Sequence, residues 1–315
     1  MATDITYGVM KMYEKCRSLR DLMNEKPVLA PCVYDCFTAK IIEKVGYEAM
    51  CLSGGSLAMA YCGVPDIGLV PLADLESMVA RITTYAKIPM IVDIDTGFGN
   101  ELNVMYTCER MIRAGAKAVH LEDQTFPKRC GHLGGKEVIP REEYISKIKA
   151  AHSVLKGTDC LLIARTDSYH IKGMGVEEAI RRNLESREAG ADITFTEGTG
   201  SYEDIEKIAK ADDGWKMFDM VCNGASPKVT FKQLCDYGYR LVTVPGVSVG
   251  GAYKGIMEAA KHTMEDGNDF WIAENGSNPL ELAETFNISG WLGAAKEFNS
   301  RIQEASSLRA KEGGF

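Results

Sequence analysis

Two aspartates one residue apart are the sharpest chemical feature of this 315-residue chain: Asp93 and Asp95, within Val92-Asp93-Ile94-Asp95-Thr96-Gly97-Phe98-Gly99. On a strand, residues two apart project to the same side. Two carboxylates that close repel unless a cation sits between them. Glu122-Asp123 ends a later apolar run and offers a third acidic oxygen. Oxygen-only, carboxylate-rich ligation suits Mg²⁺ or Mn²⁺, with water completing the shell. One such aspartate alone would more often cap a helix or bind loop backbone. Three acids on neighbouring strand ends favour the metal.

A second feature is Phe126-Pro127-Lys128-Arg129-Cys130-Gly131-His132-Leu133-Gly134-Gly135-Lys136. It is too glycine-rich for a helix and reads as a lid with glycine hinges. Cys130 is flanked by Lys128, Arg129 and His132, and positive neighbours are expected to lower its pKa and ease proton exchange near neutral pH. A basic surface loop with an incidental cysteine has the same spacing. Arg165, in Ile163-Ala164-Arg165-Thr166-Asp167, reads either as an ion-pair partner for nearby acids or as a two-pronged contact for a substrate carboxylate.

These residues must be positioned by something regular. Eight apolar, β-rich runs recur, at 28–34, 49–52, 88–95, 118–123, 160–166, 192–197, 216–221 and 240–244. Near-continuous apolar character fits strands covered on both faces. Stretches of helical period lie between them, at 37–45, 72–85, 104–114, 141–155, 176–189, 202–209 and 230–237. Gly46, Gly115, Gly190 and Gly238 stand where a left-handed residue would close a helix. The alternation predicts a parallel α/β fold, and the count favours a closed (β/α)₈ TIM barrel over an open sheet. No G-x-G-x-x-G follows the first run. A barrel of this kind carries its active site at the C-terminal strand ends. Those ends read Tyr34-Asp35, Ser53-Gly54-Gly55, Asp93, Asp95, Glu122-Asp123, Arg165-Asp167, Glu197, Asn223 and Ser248. An N-terminal helix is expected over 5–24. A helical extension with large apolar residues is expected after about 268, packing on its own barrel or on a neighbouring subunit. The whole, 1–315, reads as a single domain, with the barrel at about 25–268.

The net charge of −8 argues against nucleic acid or an anionic membrane as partner. No apolar run is long enough to span a bilayer, and the N-terminus lacks the pattern of a secretion signal. Asn287-Ile288-Ser289 matches a glycosylation acceptor by chance on that reading. Ten cysteines occur without a C-x₂-C pair, and Cys32, Cys36, Cys51, Cys62, Cys160 and Cys222 lie in or beside apolar stretches. The expectation is reduced thiols in a cytoplasmic protein, without zinc.

Taken together, Asp93-Ile94-Asp95-Thr96-Gly97-Phe98-Gly99-Asn100 and Lys128-Arg129-Cys130-Gly131-His132 resemble the metal motif and the lyase-branch signature of the isocitrate lyase / phosphoenolpyruvate mutase superfamily. Ser53-Gly54-Gly55, Pro65-Asp66-Ile67-Gly68, Glu122-Asp123 and Ala164-Arg165-Thr166-Asp167 follow in family order, and the likeness runs from about residue 27 to 253. The resemblance implies that Asp93, Asp95 and Glu122 hold Mg²⁺, with Asp66 near the same site. It implies that Ser53, Gly54, Gly55, Arg165 and Asn223 bind a 2-keto or 2-hydroxy acid, aided by the lid residues Lys128, Arg129, Gly131 and His132. Glu197 would support the second carboxylate or order the site, Tyr34 would sit against the substrate, and Cys130 would protonate the product carbanion. It further implies a homotetramer with an exchanged C-terminal helix. The sequence departs from the family after the strand-seven asparagine, where Asn223-Gly224-Ala225-Ser226-Pro227-Lys228 replaces a longer stretch, and at the glycine-rich strand-eight exit 244–251.

The expected reaction is cleavage of a branched 2-hydroxy di- or tricarboxylate, such as 2,3-dimethylmalate or 2-methylisocitrate, to a 2-keto acid and a carboxylate. Three other readings remain. Oxaloacetate hydrolysis would use Ser248. Phosphonate chemistry would cradle a phosphate-like group at 246–251. A non-catalytic carboxylate-binding barrel would need the intact acid, cysteine and arginine set to be idle.

Overall fold

The structure, a computed structural model, describes residues 16–221, 223–276 and 278–311, with side chains described to residue 304. Eight parallel strands close into a barrel in chain order, with β1 pairing β8: β1 Val28–Val33, β2 Met50–Leu52, β3 Met90–Asp93, β4 Ala118–Glu122, β5 Leu161–Thr166, β6 Ile193–Thr196, β7 Trp215–Asp219 and β8 Leu241–Val244. The expected TIM barrel is therefore the fold. The strands form where the apolar runs lie because residues from both faces are buried, as in the fully buried β3, β4, β5 and β6.

Helices return the chain between strands: α2 Cys36–Val45, α4 Leu72–Tyr85, α5 Glu101–Ala114, α6 Arg141–Leu155, α7 Gly175–Glu188, α8 Tyr202–Ala211 and α9 Phe231–Asp236. A short α3, Gly54–Leu57, follows β2. Their starts are written in side chains. Asp35 and Asn100 cap α2 and α5 with reciprocal capping boxes. Gly46 and Gly115 close the same helices at φ of 101° and 97°, where a side chain would be strained.

The barrel's inward residues make one core and its helix-facing residues another. α1, Leu19–Glu25, buries Leu19, Leu22 and Met23 against Val28, Ile91, Ala118 and Leu161 near the strand starts. Each such side chain stabilises by about 1.5–3 kcal/mol on burial. This apolar plug sits by the N-terminal strand ends and leaves polar chemistry to the C-terminal ends. The helix expected over 5–24 is seen only in part: α1 begins at Leu19, residues 16–18 are not helical, with Ser18 extended before the helix, and residues 5–15 lie outside the described residues, as does Cys222.

The chain packs as two compact units, Cys16–Lys254 and a second one that begins at Gly255. The glycine-rich strand-eight exit is no loop; it is the first turns of α10, Gly246–Asp266. α11 Phe270–Asn275, α12 Pro279–Thr285 and α13 Ile288–Lys311 follow. No residue of α10, α11 or α12 is buried. Among the described residues, no helix is long and apolar enough to cross a membrane.

Candidate active site

The acids come first. β3 stops at Asp93, so Asp95 does not lie on the strand beside it. The backbone turns into the left-handed region at Asp95, φ 46°, and its N–H donates to Asp93 Oδ1 at 3.1 Å. The two carboxylates still meet: a Cβ built on Gly54 would lie 3.0 Å from Asp93 Oδ2 and 3.3 Å from Asp95 Oδ1. Gly54 N–H donates to Asp93 Oδ2 at 3.2 Å. A Cβ on Gly55 would lie 2.8 Å from Asp66 Oδ2, so the two glycines of Ser53-Gly54-Gly55 make room for three acids. Ser53 Oγ accepts from Ser56 N–H at the start of α3, and Ser53 also lines the cavity described below.

Lys128 is 3% exposed and stands among these acids, paired with Asp66 and 2.9 Å from Asp95 Oδ1. Burial works to raise the Asp93 carboxyl, but His120, Lys128 and Arg165 bring it down to about 2. Burial, against Lys128 and with Asp93, pushes Asp95 up to about 6. Glu122 is raised well above the usual range by burial, despite Arg165 and Lys128. Both Glu122 oxygens and Asp95 Oδ1 are buried and accept no hydrogen bond. Carboxylate oxygens without a hydrogen bond, in a group of four acids that Lys128 and Arg165 balance only in part, fit a hard divalent cation held by Asp93, Asp95, Glu122 and Asp66. Asp123 is not available to it: its carboxylate accepts from Asp167 N–H at 2.8 Å, from Thr166 Oγ1 and from Arg182 Nη1 at 2.9 Å.

The lid is seated. Cys130 N–H donates to Asp66 O at 3.1 Å, the Gln124 side chain holds both backbone groups of Arg129, and Lys136 binds Asp167 at 2.8 Å and Gly131 O. His132 Nε2 lies 2.8 Å from Glu197 Oε1, and His132 Nδ1 accepts from Ala225 N–H at 2.9 Å. Gly131 has no space for a side chain: a Cβ there would lie 2.6 Å from Arg165 Nη2 and run into Glu197 Cγ. The Cys130 thiol is raised, not lowered as its neighbours in sequence suggested. Burial outweighs the His132 N–H that would favour the thiolate, because Lys128 faces Asp66 and Asp95 and His132 faces Glu197.

Arg165 is buried among three carboxylates, at 2.8 Å from Asp167, 3.2 Å from Glu122 and 3.3 Å from Glu197, with its guanidinium 5.6 Å over Phe195. Both sequence readings of it meet here, because it pairs with the barrel's own acids while facing a cavity. That cavity, about 120 Å³, is lined by Ser53, Gly55, Asp66, Asp93, Lys128, Cys130, Gly131, His132, Arg165 and Glu197. Side chains far apart in the chain thus share one mouth. Gly54, Asp95 and Glu122 stand behind this lining.

Four expected residues lie elsewhere. Arg129 and Asn223 are exposed, and Tyr34 follows β1 half-buried; none of the three lines the cavity. Ser248 Oγ donates to Cys32 O at 2.6 Å, one turn into α10. The cavity residue at the end of β7 is Asp219, which accepts from Thr243 Oγ1 at 2.6 Å and is pushed up by burial and by Glu197. His120 was missed as well. It stands two residues before Glu122 on β4, 3.5 Å from Asp93. Atoms of His132, Glu197 and Asp219 lie within 4.8 Å of one another. Glu197 already meets Arg165 at 3.3 Å and His132 at 2.8 Å there, and its contact with His132 ties the lid to the end of β6.

The phosphoenolpyruvate phosphomutase family profile matches residues 19–264. The chain belongs to the phosphoenolpyruvate mutase/isocitrate lyase superfamily. It is 36% identical to 2,3-dimethylmalate lyase of Eubacterium barkeri, over 76% of this chain and 83% of that one. It is 38% identical to 2-methylisocitrate lyase of Aeropyrum pernix, over 79% and 80%. A solved phosphonopyruvate hydrolase complex with oxalate and Mg²⁺ superposes with a TM-score of 0.75 at 27% identity, over 92% of this chain and 98% of that one. The chain is an enzyme of carbon–carbon lyase type, in a superfamily whose members bind Mg²⁺.

Proposed function

We propose that the chain is a Mg²⁺-dependent lyase that splits a methyl-branched 2-hydroxy dicarboxylate, of the 2,3-dimethylmalate kind, into a 2-keto acid and a carboxylate. One observation carries the reading: Cys130, whose thiol burial pushes up, and the acids Asp93 and Asp66 line the same cavity. Asp93, Asp95, Glu122 and Asp66 would hold the metal. When bound, Mg²⁺ supplies positive charge beside the 2-oxygen and the carboxylate of the substrate. Arg165 and the Gly54 and Gly55 region orient the keto-acid half. The 2-hydroxyl proton passes to a carboxylate of the cavity wall, the 2-oxygen becomes the keto oxygen as the C2–C3 bond breaks, and the departing fragment carries the electron pair on carbon. Cys130 Sγ delivers its proton to that carbon, and the seated lid excludes the water that would compete.

A dicarboxylate is favoured over a tricarboxylate by the pairing of the cavity's cations. Lys128 and Arg165 each already face an acid, and a third substrate carboxylate would meet Glu197 and Asp219. Phe195, Met217, Val221 and Pro245 offer apolar wall to methyl groups. Oxaloacetate hydrolysis loses support because the Ser248 hydroxyl is engaged by Cys32 O. The chain would act as one domain, 1–315, in a homotetramer that exchanges C-terminal helices.

The test is a coupled keto-acid assay with Mg²⁺ over branched and unbranched 2-hydroxy di- and tricarboxylates, with mass spectrometry of the second product. The expected result is turnover of a branched dicarboxylate at least tenfold above any tricarboxylate, lost with EDTA and restored by Mg²⁺. Turnover of no panel member, or oxalate release from oxaloacetate alone, would remove the reading.

A further inference from the structure

Two thiols stand side by side in the cavity wall, and nothing in the lyase chemistry uses them. Cys32 on β1 and Cys51 on β2 are register partners across adjacent parallel strands. Both line the cavity, and both are nearly sealed from solvent, at 3% and 2% exposure. Both side chains face the same cavity, and His120, another lining residue, stands beside Cys51. Paired strands lie about 4.8 Å apart, inside the Cα separation of about 4.4–6.8 Å that a disulfide spans.

We propose that Cys32 and Cys51 form an oxidisable dithiol that closes to a disulfide when a small hydroperoxide enters the cavity. The environment separates their roles. His120 stands beside Cys51, whereas the groups around the Cys32 thiol are Cys51 and the acids Asp219 and Asp93. Cys51 is therefore the attacking thiolate and Cys32 the resolving thiol. The Cys51 thiolate attacks one peroxide oxygen, the O–O bond breaks, and the leaving oxygen takes a proton from solvent and departs as water or alcohol. Cys51 is left as a sulfenic acid. The Cys32 sulfur then attacks the Cys51 sulfur; the S–S bond forms, and the sulfenic hydroxyl leaves with the Cys32 proton as water. Two thiols are oxidised and one peroxide is reduced. The other thiol of the cavity lining, Cys130, sits on the lid and not on a strand paired with another cysteine-bearing strand.

The experiment treats the reduced full-length protein with graded hydrogen peroxide, blocks free thiols, digests without reductant and maps linkages by tandem mass spectrometry. Fragment ions must separate Cys32 from Cys36 and Cys51 from Cys62. The expected result is a Cys32–Cys51 link at peroxide levels that leave Cys130 alkylatable. The link should be reversed by dithiothreitol, absent in Cys32→Ser and Cys51→Ser, and present in Cys36→Ser. Recovery of Cys32 and Cys51 as blocked free thiols after Cys130 is fully oxidised would overturn the proposal, as would a link that persists in Cys51→Ser. The readout is a covalent bond, so it stands or falls separately from the lyase assignment.

Discussion

A proton donor to carbon must stay protonated until the carbanion forms, and the burial of Cys130 does that better than an exposed, cation-lowered thiol would. Its thiol is raised by its surroundings while its backbone is tied to Asp66, so the donor is both charged with its proton and fixed. Replacing it with alanine should lower kcat by about 10²–10⁴-fold, the usual range for a general acid. Binding of the 2-keto acid product, read by calorimetry, should stay within about threefold. Turnover near wild type in both Cys130→Ala and Cys130→Ser would take the residue out of that role. The buried acids set a second expectation. Burial raises Asp95 and Asp123 to about 6 from the ordinary 3.8. For such groups the folded state binds more protons between those values, so stability falls as pH rises from about 4 to about 6 and levels off above. Asp93 and Asp167, held at about 2 by the cations around them despite burial, act oppositely and only below about 4. The metal-free protein should therefore melt higher at pH 5 than at pH 7.5, and Mg²⁺ should narrow that gap. A metal-free melting temperature that rises steadily from pH 5 to 7.5 would contradict this charge layout.

At the scale of elements, the lid works only if its backbone reaches the floor of the mouth. Gly131 is the point of closest approach, against Arg165 and Glu197. Gly131→Ala should keep the barrel's melting temperature within about 2 °C while lowering kcat/KM at least tenfold, because a loop that cannot seat admits water and misplaces Cys130. Unchanged kcat/KM would mean that the seated position is not the working one. The strands and most rim residues were legible in the sequence because a buried parallel strand writes its whole length in apolar residues and its end in a polar one, as β4 does with Glu122. What stayed hidden has physical reasons. Asp95 reaches the site through a left-handed turn that alternation cannot forecast. His120 sits inside an apolar run, and its only signal is that 120 and 122 share a face of β4. Asn223 was placed at the strand exit because the apolar run reads on to 221, whereas β7 ends at Asp219. Ser248 falls on a helix that its flanking glycines disguised.

For the whole molecule, the question is what covers the apolar side chains of the C-terminal helices. Ile256, Met264, Phe270, Leu280 and Leu292 are 64% to 87% exposed, and α10 to α12 bury no residue. Scattered exposed leucines need no explanation, but several large apolar residues on consecutive helices point to a partner surface. A second copy of the chain is the occupant that fits, because closed symmetry lets one face meet its own kind and because each leucine removed from water contributes about 1.5–3 kcal/mol. Light scattering behind size exclusion should give about 138 kDa, the mass of four 34.5 kDa chains. Leu280→Glu with Leu292→Glu should shift that mass towards a single chain, since burying two unpaired carboxylates costs more than the contacts return. The barrel, whose core those residues do not enter, should keep its far-ultraviolet spectrum. A wild-type protein that runs as one 34.5 kDa chain at micromolar concentration would leave these helices without the partner that their composition demands.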